Sequence, residues 1–312
     1  MKGLIKRLLG IAPPPQLANK HLWSIGILAG PSPDALTADP GIRNPVFTRD
    51  QVTDISAGFV ADPFLLPVNG VWHMFMEVYN RRNKRGEIAL ATSTDLANWQ
   101  YRQVVLTEPF HISYPFVFEW QGAYYMVPET HKTRTIRLYR ASEFPLKWEL
   151  VHTLMSGQRF ADTTLFRHDN RWWLFTETNP DMKHDTLRLF YADDLMGLWT
   201  EHPASPVVAG NPHIARPGGS VAMTAQGPMR FAQDCSPKYG LSVQAFRITT
   251  LTTTAYAEQA VVGNPVYAGS GGQAWNAHGM HHVNAHDLGG GRWMAGVDGW
   301  QGATASDIAG TG

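Results

Sequence analysis

The chain has 312 residues, 17% charged and 44% apolar, with 29 Gly and 21 Pro, a balance that points to many short strands joined by tight turns. Lys and Arg together number 26, as do Asp and Glu, so the formal net charge is zero and the basic surplus of a general nucleic-acid binder is missing. The one cysteine, Cys235, excludes an intrachain disulfide and suits a reducing compartment. No apolar run reaches the eighteen or so residues of a membrane-spanning helix.

In chain order, residues 1–11 are basic and apolar but too short in their hydrophobic stretch for a signal peptide. Pro13, Pro14 and Pro15 then stop any helix. Residues 1–21 read as a tail that is either frayed or able to lie on anionic lipid as an interfacial helix. A lone strand at 23–29 follows. Three similar units come next, ending in Trp99, Trp148 and Trp199, about fifty residues apart, a propeller-blade period. Each holds a hairpin whose turn is Asn69-Gly70, Gln121-Gly122 or Asp169-Asn170. Weaker copies at 220–232 and 282–297 make a fourth and a fifth. The expectation is therefore an all-β five-bladed β-propeller over 22–300, with a C-terminal tail at 301–312. The strand at 23–29 would form the outer strand of blade five, closing the ring and covering an exposed edge.

Superposing the hairpins puts Asp62, Tyr114 and Asp162 at the start of each first strand. Glu77, Glu129 and Glu177 close the second strands, each fifteen residues later. By the same turn-based alignment Asp234 and Asp298 close the second strands of blades four and five. Both ends of a hairpin lie on one edge of the sheet, so these acids should gather at one mouth of the central channel. Acids after strands also accept turn amides or pair with Arg. Crowded buried carboxyls shift one another's pKa, so one can donate a proton while another accepts it. Arg216 precedes the first strand of blade four as a fork for carboxylate or phosphate. His281 and His282 precede that of blade five. As neighbours along a strand they would point to opposite faces, so a hydrogen-bonding or proton-transfer role is expected, with no metal and no cofactor. Cys235 reads as a small buried residue.

Two resemblances build on these residues. Ala61-Asp62-Pro63-Phe64 resembles the first-blade acid of the five-bladed glycoside hydrolase families 43 and 32, which implies that Asp62 is a base or nucleophile. Asp162 is similar to the third-blade aspartate of family 43 that tunes the acid's pKa. The family's general-acid glutamate would fall where this chain has Arg216-Pro217-Gly218-Gly219, so either Glu129 or Glu177 takes the acid role or the chemistry differs. The closer resemblance is to the N-terminal propeller region of glucosamine inositolphosphorylceramide transferases and bacterial relatives. It is carried by residues 59–65, 111–118, 126–129, 136–141, 144–148, 215–219 and 233–235, and by His281 and His282.

The resemblance implies a sugar or glycolipid setting, since the transferases' own glycosyltransferase domain follows this region. The expectation is a carbohydrate-active, glycosidase-like or glycosyl-transferring enzyme acting on a surface-polysaccharide or glycolipid precursor. Asp62, Glu129, Asp162 and Glu177 would be catalytic. Glu77, Tyr114, Arg216, Asp234, His281, His282 and Asp298 would bind substrate. The alternative is a non-catalytic glycan-binding propeller that presents substrate to a separate glycosyltransferase. The partner is a sugar or glycolipid, not nucleic acid. The setting is cytoplasmic, with peripheral membrane contact through residues 1–11.

Overall fold

A computed structural model describes residues 21–302. The N-terminal tail, read as either frayed or an interfacial helix, and most of the C-terminal tail lie outside the described residues. Five antiparallel sheets follow one another around a ring. Blade one runs inside to outside through Ala57–Val68, Val71–Asn80, Arg85–Ser93 and Gln100–Leu106. Blade two runs through Ser113–Trp120, Ala123–Glu129, Thr135–Glu143 and Lys147–Ser156, and blade three through Ala161–His168, Arg171–Glu177, Thr186–Ala192 and Thr200–Glu201. The inner strand of blade four is broken into Arg216–Pro217 and Ala222–Thr224, ahead of Gly227–Asp234, Ser242–Leu251 and Tyr256–Ala260.

Blade five has the order Val283–Asp287, Trp293–Gly302, His21–Gly30 and Thr37–Ala38. His21–Gly30 pairs along its full length with Trp293–Gly302. The N-terminal strand thus closes the ring, as expected, but as the third strand. The two-residue Thr37–Ala38 lies outside it.

The turns behave as their residues dictate. Asn69 and Gly70 (φ 51° and 77°), Gln121 and Gly122 (52° and 74°), and Asp169 and Asn170 (49° and 59°) all take positive φ. Two such residues in a two-residue hairpin make the turn that matches strand twist. The repeated tryptophans also have a local cause. The indole Nε1 of Trp99 donates to the Leu96 carbonyl at 2.8 Å, Trp148 to Pro145 at 3.0 Å and Trp199 to Leu195 at 3.2 Å. Each buried ring thus ties down the corner between the third and fourth strands. The core lies between blades: one cluster joins Phe64 and Phe75 of blade one to Met126, Leu138 and Leu174 of blades two and three. Another joins Ile25 and Ile27 of blade five to Met74 and Met76 of blade one.

Candidate functional site

The inner strands of the first three blades share one irregularity. Pairing slips between Ala61 and Phe64, between Ser113 and Phe116, and between Ala161 and Thr164. The residue in each slip takes left-handed backbone: Asp62 at φ 52°, Tyr114 at 47° and Asp162 at 49°. Such a conformation in a non-glycine residue costs on the order of 1–3 kcal/mol and persists only where the surroundings enforce it. Carboxylates of the ring do so by accepting the strained amides. Asp298 Oδ2 accepts from Asp62 N at 3.1 Å, Asp62 Oδ2 from Tyr114 N at 3.1 Å, and Glu129 Oε2 from Asp162 N at 3.3 Å. The acids thus link each blade to the next.

Arg216 continues the ring into blade four. Its Nε donates to Asp162 Oδ2 at 2.6 Å, and Nη2 to Glu129 Oε2 at 3.3 Å. Gln233 Nε2 donates to the same Asp162 oxygen and to Pro217 O at 2.7 Å. Blade five adds Asp298, whose Oδ1 accepts from the His281 and His282 amides, each at 3.1 Å, and meets His281 Nδ1 at 2.7 Å. Both imidazoles approach one atom, Asp62 Oδ1, with His281 Nε2 at 3.6 Å and His282 Nδ1 at 3.8 Å. The expected opposite-face arrangement fails because the pair precedes Val283–Asp287 and is outside the pleat.

Below the acids, Tyr114 fills the channel. Its ring lies edge-on to Phe64 at 4.8 Å and to His282 at 5.4 Å. Its hydroxyl bonds Thr164 Oγ1 at 2.7 Å, donates to Gly219 O at 2.9 Å and accepts from Gly219 N at 2.8 Å. Tyr114 is fully buried, so it joins all five blades from within the channel rather than facing the mouth. Gly219 is required beside it. Its φ is 124°, and a Cβ there would sit 1.8 Å from Val283 O.

The other expected residues divide clearly. Glu77 is buried next to the ring, with His111 Nε2 3.6 Å from its Oε1, an oxygen without a hydrogen-bond partner. Glu177 is buried too, but it is held by Arg159 Nη1 at 2.5 Å and by the Asn179 amide at 2.6 Å. Asp234 turns outward to His213 at 2.9 Å, and its neighbour Gln233 does the inward work. The hairpin alignment misplaced blade four because its turn is Ala225-Gln226, with Thr224 paired to Gly227, one residue earlier than a Gln226-Gly227 turn would be. Gln233, Tyr239 and Trp23 are the contributors that pattern reading missed. Tyr239 lies 5.1 Å from the Arg216 guanidinium and 5.1 Å edge-on to His281. Trp23 stacks on His281 at 4.2 Å. The sequence signal for Tyr239 and Trp23 was an aromatic residue next to a mouth-facing strand end.

Electrostatics separates the carboxyls. Burial lifts Asp62 to about 6, with His281 pulling down and Asp298 pushing up. Burial also lifts Asp162 to about 8, against the pull of Arg216 and with the charge of Glu129 adding to the rise. Asp162 Oδ1 is buried without a hydrogen-bond partner, which leaves it as the oxygen to carry the proton. Glu77 is raised well above the usual carboxylate range by burial and by the charges of Asp62, Glu129, Asp162 and Asp298. Burial acts against ionisation of Glu129 as well, but the His131 hydrogen bond and Arg216 outweigh it and hold the group well below that range. Glu177 is lowered against burial by His184, the Asn179 amide and Arg159. Burial opposes a charged His281, yet Asp298 and Asp62 raise it, whereas burial drops His282 to about 3. The Cys235 thiol is pushed up to about 12 by burial, so it is no thiolate at neutral pH.

Asp62, His281 and Asp298 bring three potential metal-ligand atoms within 4.8 Å of one another. Asp298 Oδ1 and His281 Nδ1 bond to one another, which leaves His281 Nε2 facing Asp62 Oδ1 at 3.6 Å. No helix among the described residues is long and apolar enough to cross a membrane.

Five blades, strained acids on the inner strands and a blind channel define a propeller of glycosidase-like architecture. A putative glycosidase from Bacteroides thetaiotaomicron superposes with a TM-score of 0.63 at 12% identity, over 86% of this chain and 97% of that one. A β-1,2-mannobiose phosphorylase from Listeria innocua gives 0.61 at 14%, over 86% and 96%. At such identities the likeness is one of fold. The chain belongs to the family described as glucosamine inositolphosphorylceramide transferase 1, N-terminal, which it matches over residues 16–300. It is 34% identical over 297 residues to glucosamine inositolphosphorylceramide transferase 1 of Oryza sativa subsp. japonica, covering 89% of this chain and 40% of the relative. The Arabidopsis thaliana protein of that name is 30% identical over 300 residues, covering 90% and 39%. The chain thus spans about 40% of the curated relatives it matches.

Proposed function

We propose that the chain is a glycosyl-transferring enzyme that works at the acidic mouth on the sugar head of a glycolipid or surface-polysaccharide precursor. The observation that carries this reading is the pair Asp62 and Asp162. They share a strained backbone and a buried ring, yet titrate at about 6 and about 8. Between those values one is ionised and the other neutral, the division of labour that glycosidic bond chemistry needs. Asp62 attacks the anomeric carbon or takes the proton of the incoming hydroxyl. Asp162 gives its proton to the departing oxygen. In the covalent route the incoming hydroxyl then displaces Asp62 and returns a proton to Asp162. Glu129 and Glu177 do not suit the acid's part, because each is held ionised by its partners.

The names of the relatives suggest a glucosamine-type sugar and an inositol phosphoceramide as reactants. We place the reaction in the cytoplasm, on a membrane face that residues 1–11 would contact. The test is to incubate the chain with nucleotide-activated glucosamine-type donors and inositol phosphoceramide and follow glycolipid product by mass spectrometry. Asp62→Asn and Asp162→Asn should each abolish product while leaving the fold intact, and unchanged turnover in either would overturn the assignment.

One observation favours a binding-only propeller that presents glycan to a separate transferase. Arg216 stands where a hydrolase of this architecture would place its acid, and it is 8% exposed while tied to Asp162 and Glu129. Sugar binding by calorimetry, with no product from any donor, would decide for that reading.

A further inference from the structure

A cavity of about 530 Å³ lies at the mouth end of blade five, between strand His21–Gly30 and the segment that leads into blade one. That volume falls in the range of sites that hold small molecules. Trp23 borders it from the strand, its indole packed against His281 at 4.2 Å. Trp23 and then His281, whose Nε2 is 3.6 Å from Asp62 Oδ1, lie between this strand and the acid ring.

One wall is Trp275, and the sheet is shaped to take it. A Cβ on Gly26 would lie 2.6 Å from the Trp275 ring, and one on Gly299 would lie 2.8 Å from it. Neither glycine has positive φ, so it is the lack of a side chain that these positions exploit. Asn44 fixes the floor by bonding both the N–H and the carbonyl of Ile27 at 2.8 Å. Beside Trp275 the lining offers the amides of Gln273 and Gln301 and the hydroxyl of Ser24, with Ser24 and Gln301 on the same face of the sheet as Gly26 and Gly299. The charged groups are Arg49 and Asp50, paired at 3.5 Å, which leaves the lining with no net charge.

A flat amphipathic ring with uncharged donors and acceptors beside it suits a neutral polyhydroxylated ligand, and suits an anion or an acyl chain poorly. We propose that this cavity is a glycan subsite. It would hold an uncharged oligosaccharide at the mouth end of blade five, outside the acid ring. Trp275 supplies the stacking face, and Gln273 and Gln301 the hydrogen bonds. The ligand class rests on the proposed carbohydrate activity, but the site is separable from Asp62 and can be tested alone.

The experiment is an array of neutral and anionic oligosaccharides probed with the full chain, followed by calorimetry on the best neutral binder. Wild type, Asp62→Asn, Trp275→Ala and the double variant Gln273→Ala/Gln301→Ala are compared. Thermal melts confirm folding, and the double variant serves if removal of the indole loosens the loop. Both cavity variants should lose at least tenfold in affinity, while Asp62→Asn stays within about twofold of wild type. Retention of anionic glycans alone, or of none, overturns the subsite. So does a loss of binding in Asp62→Asn that the cavity variants do not share, since the glycan then sits in the ring only. If the cavity variants lose binding but Asp62→Asn leaves product formation unchanged, the subsite stands and the catalytic reading falls.

Discussion

Replacing Asp62 by Asn should make the protein more stable and less active, and the stability gain should depend on pH. Burial raises the carboxyl from 3.8 to about 6 in the folded chain. The folded state therefore binds the proton more tightly than the unfolded chain, and stability falls as pH rises from about 4 through 6 and then levels off. At about 1.4 kcal/mol per pKa unit, the full cost of ionising Asp62 in place is about 3 kcal/mol. An amide mimics the neutral carboxyl, and its oxygen can still accept the Tyr114 amide. The substituted side chain has no charge to desolvate at any pH. The variant should exceed wild type by about 1 kcal/mol at pH 4.5 and about 3 kcal/mol at pH 8. Urea unfolding followed by tryptophan fluorescence reads this directly. With a slope of about 3 kcal/mol/M, the midpoint gap should widen to about 1 M at pH 8. A gap that does not change with pH, or a variant weaker than wild type at pH 8, would refute the view that Asp62 is a strained, buried carboxyl.

The other expectations follow from the same ring. If Asp62 must be ionised and Asp162 protonated, product formation should follow a bell with limbs near pH 6 and 8, and a rate still rising above pH 9 would exclude Asp162 as the donor. Arg216→Met leaves Asp162 and Glu129 buried without their cation and should cost about 3–5 kcal/mol, with part restored by adding Asp162→Asn; urea midpoints of the single and double variants measure both. Tyr114→Phe orphans the Gly219 amide in the channel and should cost about 1–3 kcal/mol, again read by urea unfolding. Gly219→Ala should fail to yield folded protein, because its Cβ would fall 1.8 Å from Val283 O; a soluble variant with a wild-type melt would contradict the packing described here.

The fold was legible because each blade repeats a local cause. Turn residues that accept positive φ and a tryptophan that caps its own corner need only neighbouring residues, so they leave a periodic trace. The ring closure was legible in outline, but the place of His21–Gly30 as third strand depends on Thr37–Ala38, two residues with no strand signal of their own. The acid positions of blades one to three could be read from their fifteen-residue spacing. Their left-handed backbone could not, since nothing in Asp or Tyr announces φ near 50°. Blade four escaped the alignment because its turn is Ala225-Gln226, not the Gln226-Gly227 pair that looks like the other turns, and that one-residue shift puts Gln233 where the other blades have Glu.

The roles of the acids were the least legible part, because they depend on partners from other blades. Glu77, Glu129 and Glu177 are the same residue at the same place in three consecutive hairpins, yet they differ in charge. Glu129 meets Arg216 of blade four, and Glu177 meets Arg159 from the segment that enters its own blade. Glu77 faces only His111, whose Nδ1 accepts the Gly86 amide at 2.8 Å and whose own pKa is lowered, chiefly by burial. A neutral imidazole gives Glu77 no charge to ionise against, so it keeps its proton. One arginine at 216 thus acts on two acids of other blades at once. Together with the His131 hydrogen bond it holds Glu129 well below the usual carboxylate range, whereas at Asp162 burial outweighs its pull.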